Sequence, residues 1–194
     1  MGAGDALGQG GQAEAHGEDK ERGTHATTKK GGSRRVPTFA ASPSRHIPMP
    51  FARTVRVTKR FTFEMAHALR CHDGQCAHIH GHSYVLDVTI AGTPAHAPGH
   101  PKDGMVIDFA DLKRLVKPVV DRYDHALFLH EQERGTVDAA NPLFGRVILT
   151  PWQPTCENIL LAIVEELAPQ LPADATLIAA RLQETATSWA EWAR

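Results

Sequence analysis

Residues Phe61–Ile90 read FTFEMAHALRCHDGQCAHIHGHSYVLDVTI, and this stretch decides how the chain folds. Apolar residues alternate with polar ones at both of its ends, which predicts two β-strands joined by a loop from Leu69 to Ile79. Asp73 and Gly74 give that loop a turn signal. Because side chains two residues apart on a strand share one face of the sheet, the pattern predicts a hairpin with one apolar face.

Three histidines lie on that face, at the end of the hairpin that the loop closes. His67 has the parity of the apolar residues of the first strand, and His80 and His82 have that of the second. An H-x-H pair points to one side on a strand but not on a helix. Neutral imidazole is a preferred zinc ligand, and three protein ligands leave a fourth position for water or substrate. The spacing therefore predicts one zinc ion per subunit, bound by these three histidines.

The same residues also allow two alternatives. Five of the twelve histidines lie between His67 and His82, so the segment could be a histidine-rich surface loop. A structural zinc site could instead use Cys71, Cys76, His80 and His82. The strong apolar alternation of the second strand favours the three-histidine site, because such a strand folds without a metal.

Composition excludes several classes of protein. A length of 194 residues predicts about one domain, and 42% hydrophobic with 22% charged residues is typical of a soluble globular protein. A net charge of −1 gives no nucleic-acid footprint. No apolar run approaches the ~20 residues that span a membrane, so we expect neither a nucleic acid nor a membrane as partner. Three cysteines are too few for a disulfide framework and indicate a cytoplasmic protein.

Residues 1–50 differ in composition from the rest of the chain. Gly, Ala, Ser, Thr and charged residues dominate them, which predicts a disordered extension before a folded domain at 51–194. The apolar segment of a secretory signal is missing. Two origins stay open: a dispensable tail, or an over-extended reading frame upstream of a start at Met49.

Beyond the hairpin the pattern predicts two helices and two further strands. Asp108 is the N-cap candidate of the first helix, and Pro118 within it predicts a kink or a break. Thr155 is the N-cap candidate of the second helix. The order ββααββ predicts an α+β fold in which an antiparallel sheet of four main strands packs on two helices. The predicted strands are Thr54–Ala68, 80–90, Thr176–Thr185 and Ser188–Trp192, with a short β-like piece at Arg146–Thr150.

Cys76 and the pair Asp124-His125 are candidates for acid–base chemistry. Cys76 lies four residues before His80, and a thiol near zinc and a basic group can act as a base or a nucleophile. A loop cysteine without function is the equal alternative. A carboxylate beside an imidazole can orient it and raise its basicity. A histidine at a helix end more often compensates the helix dipole, so this pair alone is weak support.

Glu184 lies on the third predicted strand, on a face that it shares with Ile178, Ala180 and Leu182. A carboxylate on an apolar face needs a partner, and a ligand with paired N–H donors would provide one. An ordinary strand-end glutamate is the alternative. Thr155 and Glu157 fit equally well as capping residues of the second helix.

Six motifs in chain order resemble the family of 6-pyruvoyltetrahydropterin synthase and 6-carboxytetrahydropterin synthase. They are FEMAH (63–67), CAHIHGHSY (76–84), GMVIDFADLK (104–113), YDH (123–125), PTCEN (154–158) and QET (183–185). One motif alone is weak, whereas six in the right order are specific. The similarity covers about Thr54 to Thr185.

The resemblance implies the tunnelling fold (T-fold), in which small α+β subunits assemble into a barrel-like homo-oligomer with active sites at subunit interfaces. Glu184 would accept two hydrogen bonds from the aminopyrimidine edge of a pterin. The site residues that the resemblance implies are zinc ligands (His67, His80 and His82), catalytic residues (Cys76, Asp124 and His125) and the pterin-binding residue Glu184. Thr155 and Glu157 are further substrate-binding candidates.

Within the family, the compact C-x3-HGH spacing is more similar to the bacterial 6-carboxytetrahydropterin synthases of queuosine (7-deazaguanine) biosynthesis. This implies a zinc-dependent carbon–carbon lyase that converts 7,8-dihydroneopterin triphosphate to 6-carboxy-5,6,7,8-tetrahydropterin, acetaldehyde and triphosphate. The alternatives are a pyruvoyl-forming synthase, which eliminates triphosphate, and a non-catalytic zinc- or pterin-binding module. Two features depart from the family pattern: Gln183 stands where lysine is common, and Glu131–Trp152 is longer than in compact members.

Overall fold

The alternating stretch forms the expected hairpin in a computed structural model that describes residues 53–194. Strand β1 (Val55–His67) pairs antiparallel with β2 (His80–Gly92), and His67 lies opposite His80. The two apolar faces are therefore aligned as predicted. The predicted disordered extension, residues 1–50, lies outside the described residues.

Within residues 53–194, six strands form one sheet, in the order β4-β3-β1-β2-β5-β6. The other strands are β3 (Ala126–His130), β4 (Val147–Thr150), β5 (Thr176–Thr185) and β6 (Ser188–Ala193). The α+β class and the ββααββ order of the main elements are confirmed. The sheet is mixed rather than antiparallel, because β3 runs parallel to β1 and β4 runs parallel to β3. Strand β3 was not predicted, since a five-residue apolar run cannot be assigned by periodicity alone.

Two helices, α1 (Phe109–Tyr123) and α2 (Cys156–Leu167), pack on one face of the sheet. Their predicted caps are confirmed: Asp108 accepts a hydrogen bond from the backbone N–H of Ala110 at 2.7 Å, and Thr155 accepts one from that of Asn158 at 3.3 Å. A break at Pro118 is not observed, since α1 continues to Tyr123. Buried apolar side chains on α1, each stabilising by about 1.5–3 kcal/mol, offset the cost of about 3 kcal/mol for an internal proline.

Short 3₁₀ helices occupy parts of the connections. They lie at Gln75–Ala77, Glu131–Thr136, Pro142–Phe144 and Ala168–Gln170. Two of them, Glu131–Thr136 and Pro142–Phe144, fall in the long segment after β3. No helix among the described residues is long and apolar enough to cross a membrane.

The core lies between the sheet and the two helices. A β-bulge in β5 changes which residues reach it, because the pairing with β2 shifts between Thr89 and Ile90. Leu177 is buried, while Ile178, which was predicted to face the core, is only half-buried. Ala180 and Leu182 are buried as predicted. On the other face of the hairpin, Glu64 and Ser83 are exposed, whereas Val85 and Asp87 are half-buried.

Candidate metal centre and active site

The three predicted histidines come together at the closed end of the hairpin. The Nε2 atoms of His67 and His80 are 3.1 Å apart. Ligand atoms of these two residues and of His82 all lie within 4.8 Å of one another. His67 is only 2% exposed, whereas His80 and His82 are half-buried. The arrangement has one buried ligand and two ligands that a substrate could approach.

Backbone carbonyls determine which ring nitrogen carries hydrogen in two of these residues. His67 Nδ1 lies 2.6 Å from the carbonyl oxygen of Pro154, and His80 Nδ1 lies 2.8 Å from that of His78. A carbonyl oxygen can only accept, so both Nδ1 atoms are the donors. In neutral rings the Nε2 atoms then have lone pairs that face each other at 3.1 Å.

Facing lone pairs repel unless a cation lies between them. Burial is the largest influence on the pKa of His67 and lowers it, which disfavours a proton as that cation. A metal ion satisfies both nitrogens, and metal-bound histidines commonly donate their other N–H to a carbonyl, as these two do. The residues present thus fit a zinc ion held by His67, His80 and His82.

Glu184 lies beside the three histidines. Its Oε1 accepts a hydrogen bond from the Tyr84 hydroxyl at 2.9 Å and is 3.6 Å from His67 Nε2 and 3.9 Å from His82 Nε2. Tyr84 is fully buried, and its pKa is raised by burial and by the Glu184 charge. The partner that a carboxylate needs on an apolar face is therefore provided within the chain. No signal in the sequence indicated such a role of Tyr84, although it has the parity of His80 and His82 on the second strand.

Cys76 lies in the short 3₁₀ helix of the connecting loop and is half-buried. The loop joins β1 to β2 at the end where His67 pairs with His80, so the thiol lies at the same end of the hairpin. The backbone N–H of Leu69 donates to the Cys76 carbonyl at 2.8 Å and holds the loop closed.

The cysteines do not join the histidines as candidate metal ligands. Among the described residues the group that could hold a metal consists of the three histidines alone. Cys71 is exposed, and its sulfur accepts a hydrogen bond from Arg70 at 3.4 Å. This geometry favours the three-histidine site over the alternative with Cys71 and Cys76.

Asp124 and His125 form a pair at the end of α1. Asp124 Oδ1 lies 3.1 Å from His125 Nδ1 and accepts the backbone N–H of Glu64 at 2.9 Å. That N–H is the main cause of the lowered pKa of Asp124, and His125 lowers it further. The backbone N–H of His125 donates to the Glu64 carbonyl at 2.6 Å. The loop after α1 is thereby fastened to β1.

The Asp124–His125 pair does not reach the three histidines within one chain. The His125 side chain is 72% exposed and borders a cleft of about 620 Å³ whose lining also includes Glu64, Ser83, Arg146 and one of the three histidines, His82. Glu64 and Ser83 have the opposite parity to His67 and His82 on the same strands, so they belong to the sheet face without helices. No hydrogen bond or ion pair among residues 53–194 joins either member of the pair to the three histidines.

The start of α2 borders the metal centre from the helical side. Thr155 caps the helix, and Glu157 is an exposed residue of its first turn, as a capping role predicts. Between them, Cys156 was missed by sequence reasoning. Its buried thiol donates to the carbonyl of Leu182 at 3.3 Å. Burial, with smaller effects of Glu184 and Glu157, raises its pKa to about 11. Its place inside the PTCEN motif was the available signal.

A family model described as 6-pyruvoyl tetrahydropterin synthase (PTPS) matches residues 56–194. The chain belongs to this family. It is 37% identical over 141 residues to the 6-carboxy-5,6,7,8-tetrahydropterin synthase of Haemophilus influenzae, which covers 71% of this chain and 97% of the relative. It is also 30% identical over 122 residues to the dihydroneopterin monophosphate aldolase of Pyrococcus furiosus, covering 63% of this chain and 82% of the relative.

The predicted tunnelling fold is confirmed by comparison with solved structures. The 6-pyruvoyl tetrahydropterin synthase of Caenorhabditis elegans superimposes with a TM-score of 0.53 at 24% identity, covering 73% of this chain and 96% of that one. At this level of identity the similarity concerns the fold alone. Family membership supports an enzyme of the pterin synthase type.

Proposed function

We propose that this protein is a zinc-dependent 6-carboxy-5,6,7,8-tetrahydropterin synthase. It would convert 7,8-dihydroneopterin triphosphate and a water molecule to 6-carboxy-5,6,7,8-tetrahydropterin, acetaldehyde and triphosphate. The main structural support is the pair of facing Nε2 atoms of His67 and His80, which require a cation. The name of the 37% identical Haemophilus influenzae relative supports the carboxy product. We place the reaction in queuosine biosynthesis and the protein in the cytoplasm.

The residues of the three-histidine site would hold one zinc ion per subunit. Zinc bound there would supply Lewis-acid polarisation of the hydroxyls on the substrate side chain. His67 gives the site a fixed ligand because it is buried and hydrogen-bonded to Pro154. His80 and His82 are accessible, so the side chain of the substrate can approach from their side.

Acid–base chemistry is assigned to Cys76, Asp124 and His125. Asp124 is a carboxylate at neutral pH, with its pKa lowered further, and its Oδ1 lies 3.1 Å from His125 Nδ1, close enough to orient the imidazole. The Nε2 atom of His125 is then free to take up or release a proton. Cys76 would act as the second proton-transferring group, on the side of the histidine cluster.

Two copies of the chain are needed to complete this site. Among residues 53–194 no hydrogen bond or ion pair joins Asp124–His125 to the histidine cluster, and the His125 side chain is mostly exposed beside the cleft. We infer that the protein is a homo-oligomer in which the Asp124–His125 pair of one copy approaches the histidine cluster of the next.

Recognition of the pterin ring is assigned to the start of α2 and the end of β5. Glu184 would accept the paired N–H groups of the aminopyrimidine edge. Thr155 and Glu157 are further candidates because the first turn of α2 borders the same side of the sheet. Cys156, with a pKa of about 11, stays a neutral thiol and serves packing.

Product analysis with purified, zinc-containing protein tests the proposal. Mass spectrometry should detect 6-carboxytetrahydropterin together with acetaldehyde. A pyruvoyl product without acetaldehyde would refute the carboxy-forming reaction and support the alternative synthase. Binding of the pterin without turnover would support the non-catalytic module.

Two variants separate the metal from the catalytic thiol. Cys76→Ala should lose turnover and keep its zinc, whereas His80→Ala should lose the zinc. Elemental analysis measures the zinc content of both variants. Turnover that survives Cys76→Ala would show that the assignment of this cysteine is wrong.

A further inference from the structure

Glu184 occupies a place next to the histidine cluster that its proposed role in binding the pterin ring does not account for. Its Oε1 lies 3.6 Å from His67 Nε2 and 3.9 Å from His82 Nε2. Ligand atoms about 2.0–2.1 Å from a tetrahedral zinc ion are about 3.3 Å from each other. The 3.1 Å between the Nε2 atoms of His67 and His80 lies just below that value, and the two Glu184 distances lie just above it.

We propose that Glu184 is the fourth ligand of the metal ion when no substrate is bound, and that Tyr84 is the residue that positions it. The inference depends on the three-histidine metal centre of the proposed function. It goes further because three histidines leave the fourth position undefined, and because a pterin-binding role would engage Glu184 only after the ring has arrived.

The hydrogen bond from Tyr84 holds the carboxylate in this place. The hydroxyl donates to Oε1 at 2.9 Å, and the tyrosine ring is fully buried in the core. A carboxylate oxygen has a second lone pair, so Oε1 can accept from Tyr84 and bind a metal at the same time. Tyr84 thus acts on the metal through Glu184.

Charge favours the same arrangement. Three neutral imidazoles leave the two positive charges of a zinc ion uncompensated, and His67 is 2% exposed. An uncompensated charge in buried surroundings is costly, and one carboxylate ligand reduces the net charge of the site from two to one. The Glu184 side chain, 23% exposed, is in turn a partly buried anion that needs a positive partner.

Glu184 would then have two mutually exclusive partners. Without substrate it closes the metal shell, and with substrate it turns to the N–H groups of the pterin ring. The substrate hydroxyls would take the position on the metal that Glu184 leaves. The same side chain thereby couples recognition of the ring to opening of the metal site.

Metal affinity of the substrate-free protein tests this inference without any measurement of turnover. The dissociation constant for zinc is measured by competition with a chromogenic chelator for wild type, Glu184→Gln and Tyr84→Phe. Loss of a residue that only orients a metal ligand typically weakens affinity by about 10–100-fold, so we expect a loss in that range for Tyr84→Phe and at least about 10-fold for Glu184→Gln. Glu157→Gln is the matched control and should leave zinc affinity unchanged.

The visible absorption of the cobalt-substituted protein gives a second readout. Glu184→Gln should change the ligand-field bands of bound cobalt, because a negatively charged oxygen ligand is lost, and Glu157→Gln should not. Thermal unfolding of the metal-free variants verifies that each one folds. Should Glu184→Gln fail to fold, Tyr84→Phe provides the decisive comparison.

The outcomes separate this inference from the proposed function. Wild type that binds zinc, with both affinity and cobalt spectrum unaffected by Glu184→Gln, would overturn the fourth-ligand role and leave the three-histidine centre in place. Wild type that binds no zinc would overturn both.

Discussion

Two inactive variants should restore each other's activity when they share one oligomer. Cys76→Ala removes the thiol near the histidine cluster and leaves Asp124–His125 intact, while His125→Ala does the reverse. Because His125 is 72% exposed and no hydrogen bond or ion pair in residues 53–194 joins it to the cluster, the two halves of the site should come from different copies. A mixed oligomer can then combine one intact half from each variant.

The expected recovery follows from this arrangement. In a random equal mixture, a site has an intact cluster half with a chance of one in two and an intact acid–base half with the same chance. Activity should therefore reach about a quarter of the wild-type value per chain, while each variant alone stays inactive. A site built within one chain would give no recovery at all.

Co-expression of the two variants at equal levels, followed by purification on one affinity tag that both carry, gives the unselected random mixture for assay. A matched control mixes wild type with the double variant Cys76→Ala/His125→Ala. Sites shared between copies predict about a quarter of wild-type activity in that control as well, whereas sites within one chain predict about a half. Absence of recovery in the first mixture together with a half in the second would refute the shared site.

Three further predictions concern the fold. Leu182→Ala, at a fully buried position of β5, should lower the free energy of unfolding by about 2–5 kcal/mol, measured with denaturant; a loss below about 1 kcal/mol would contradict its place in the core. In a variant that keeps Cys156 as its single cysteine, the folded thiol should stay unreactive towards a disulfide reagent at pH 8, because a pKa of about 11 leaves about 100-fold less thiolate than a pKa of 9. Asp87→Asn should reduce stability at neutral pH and not at strongly acidic pH. Arg60 lowers the pKa of Asp87 in the folded protein. The stabilisation from their ion pair is therefore fully present above the pKa that Asp87 has in the unfolded chain, and it is lost as the pH falls through the lower pKa of the folded state. A pH profile of stability that is the same for the variant and the wild type would be the contrary result.

Local periodicity was sufficient to predict the histidine cluster. The two strands are next to each other in sequence, and the parity of His67, His80 and His82 against their apolar neighbours determines the register of the hairpin. Any slip by one residue would bring these apolar residues to the exposed face. The hairpin and the three-histidine cluster were therefore encoded in the same short stretch, Phe61–Ile90.

Features that depend on distant parts of the chain could not be predicted in this way. Strand β3 was missed because its pairing with β1 is parallel and long-range. Glu184 was placed on the correct strand, but its approach to His67 depends on how β5 pairs with β2 beyond a bulge. The separation of Asp124–His125 from the cluster likewise depends on which face of the sheet the end of α1 meets.

The backbone of His125 gives an independent reason to look for a partner at this position. Its φ of 55° lies in the left-handed region, which costs a non-glycine residue about 1–3 kcal/mol. Such strain persists only where surrounding structure enforces it, and the two contacts of Glu64 with Asp124 and His125 do so here. Within one chain the enforced conformation only presents a mostly exposed imidazole to solvent. Its cost is accounted for if that imidazole meets the histidine cluster of a second copy, where its orientation decides whether a proton can be transferred.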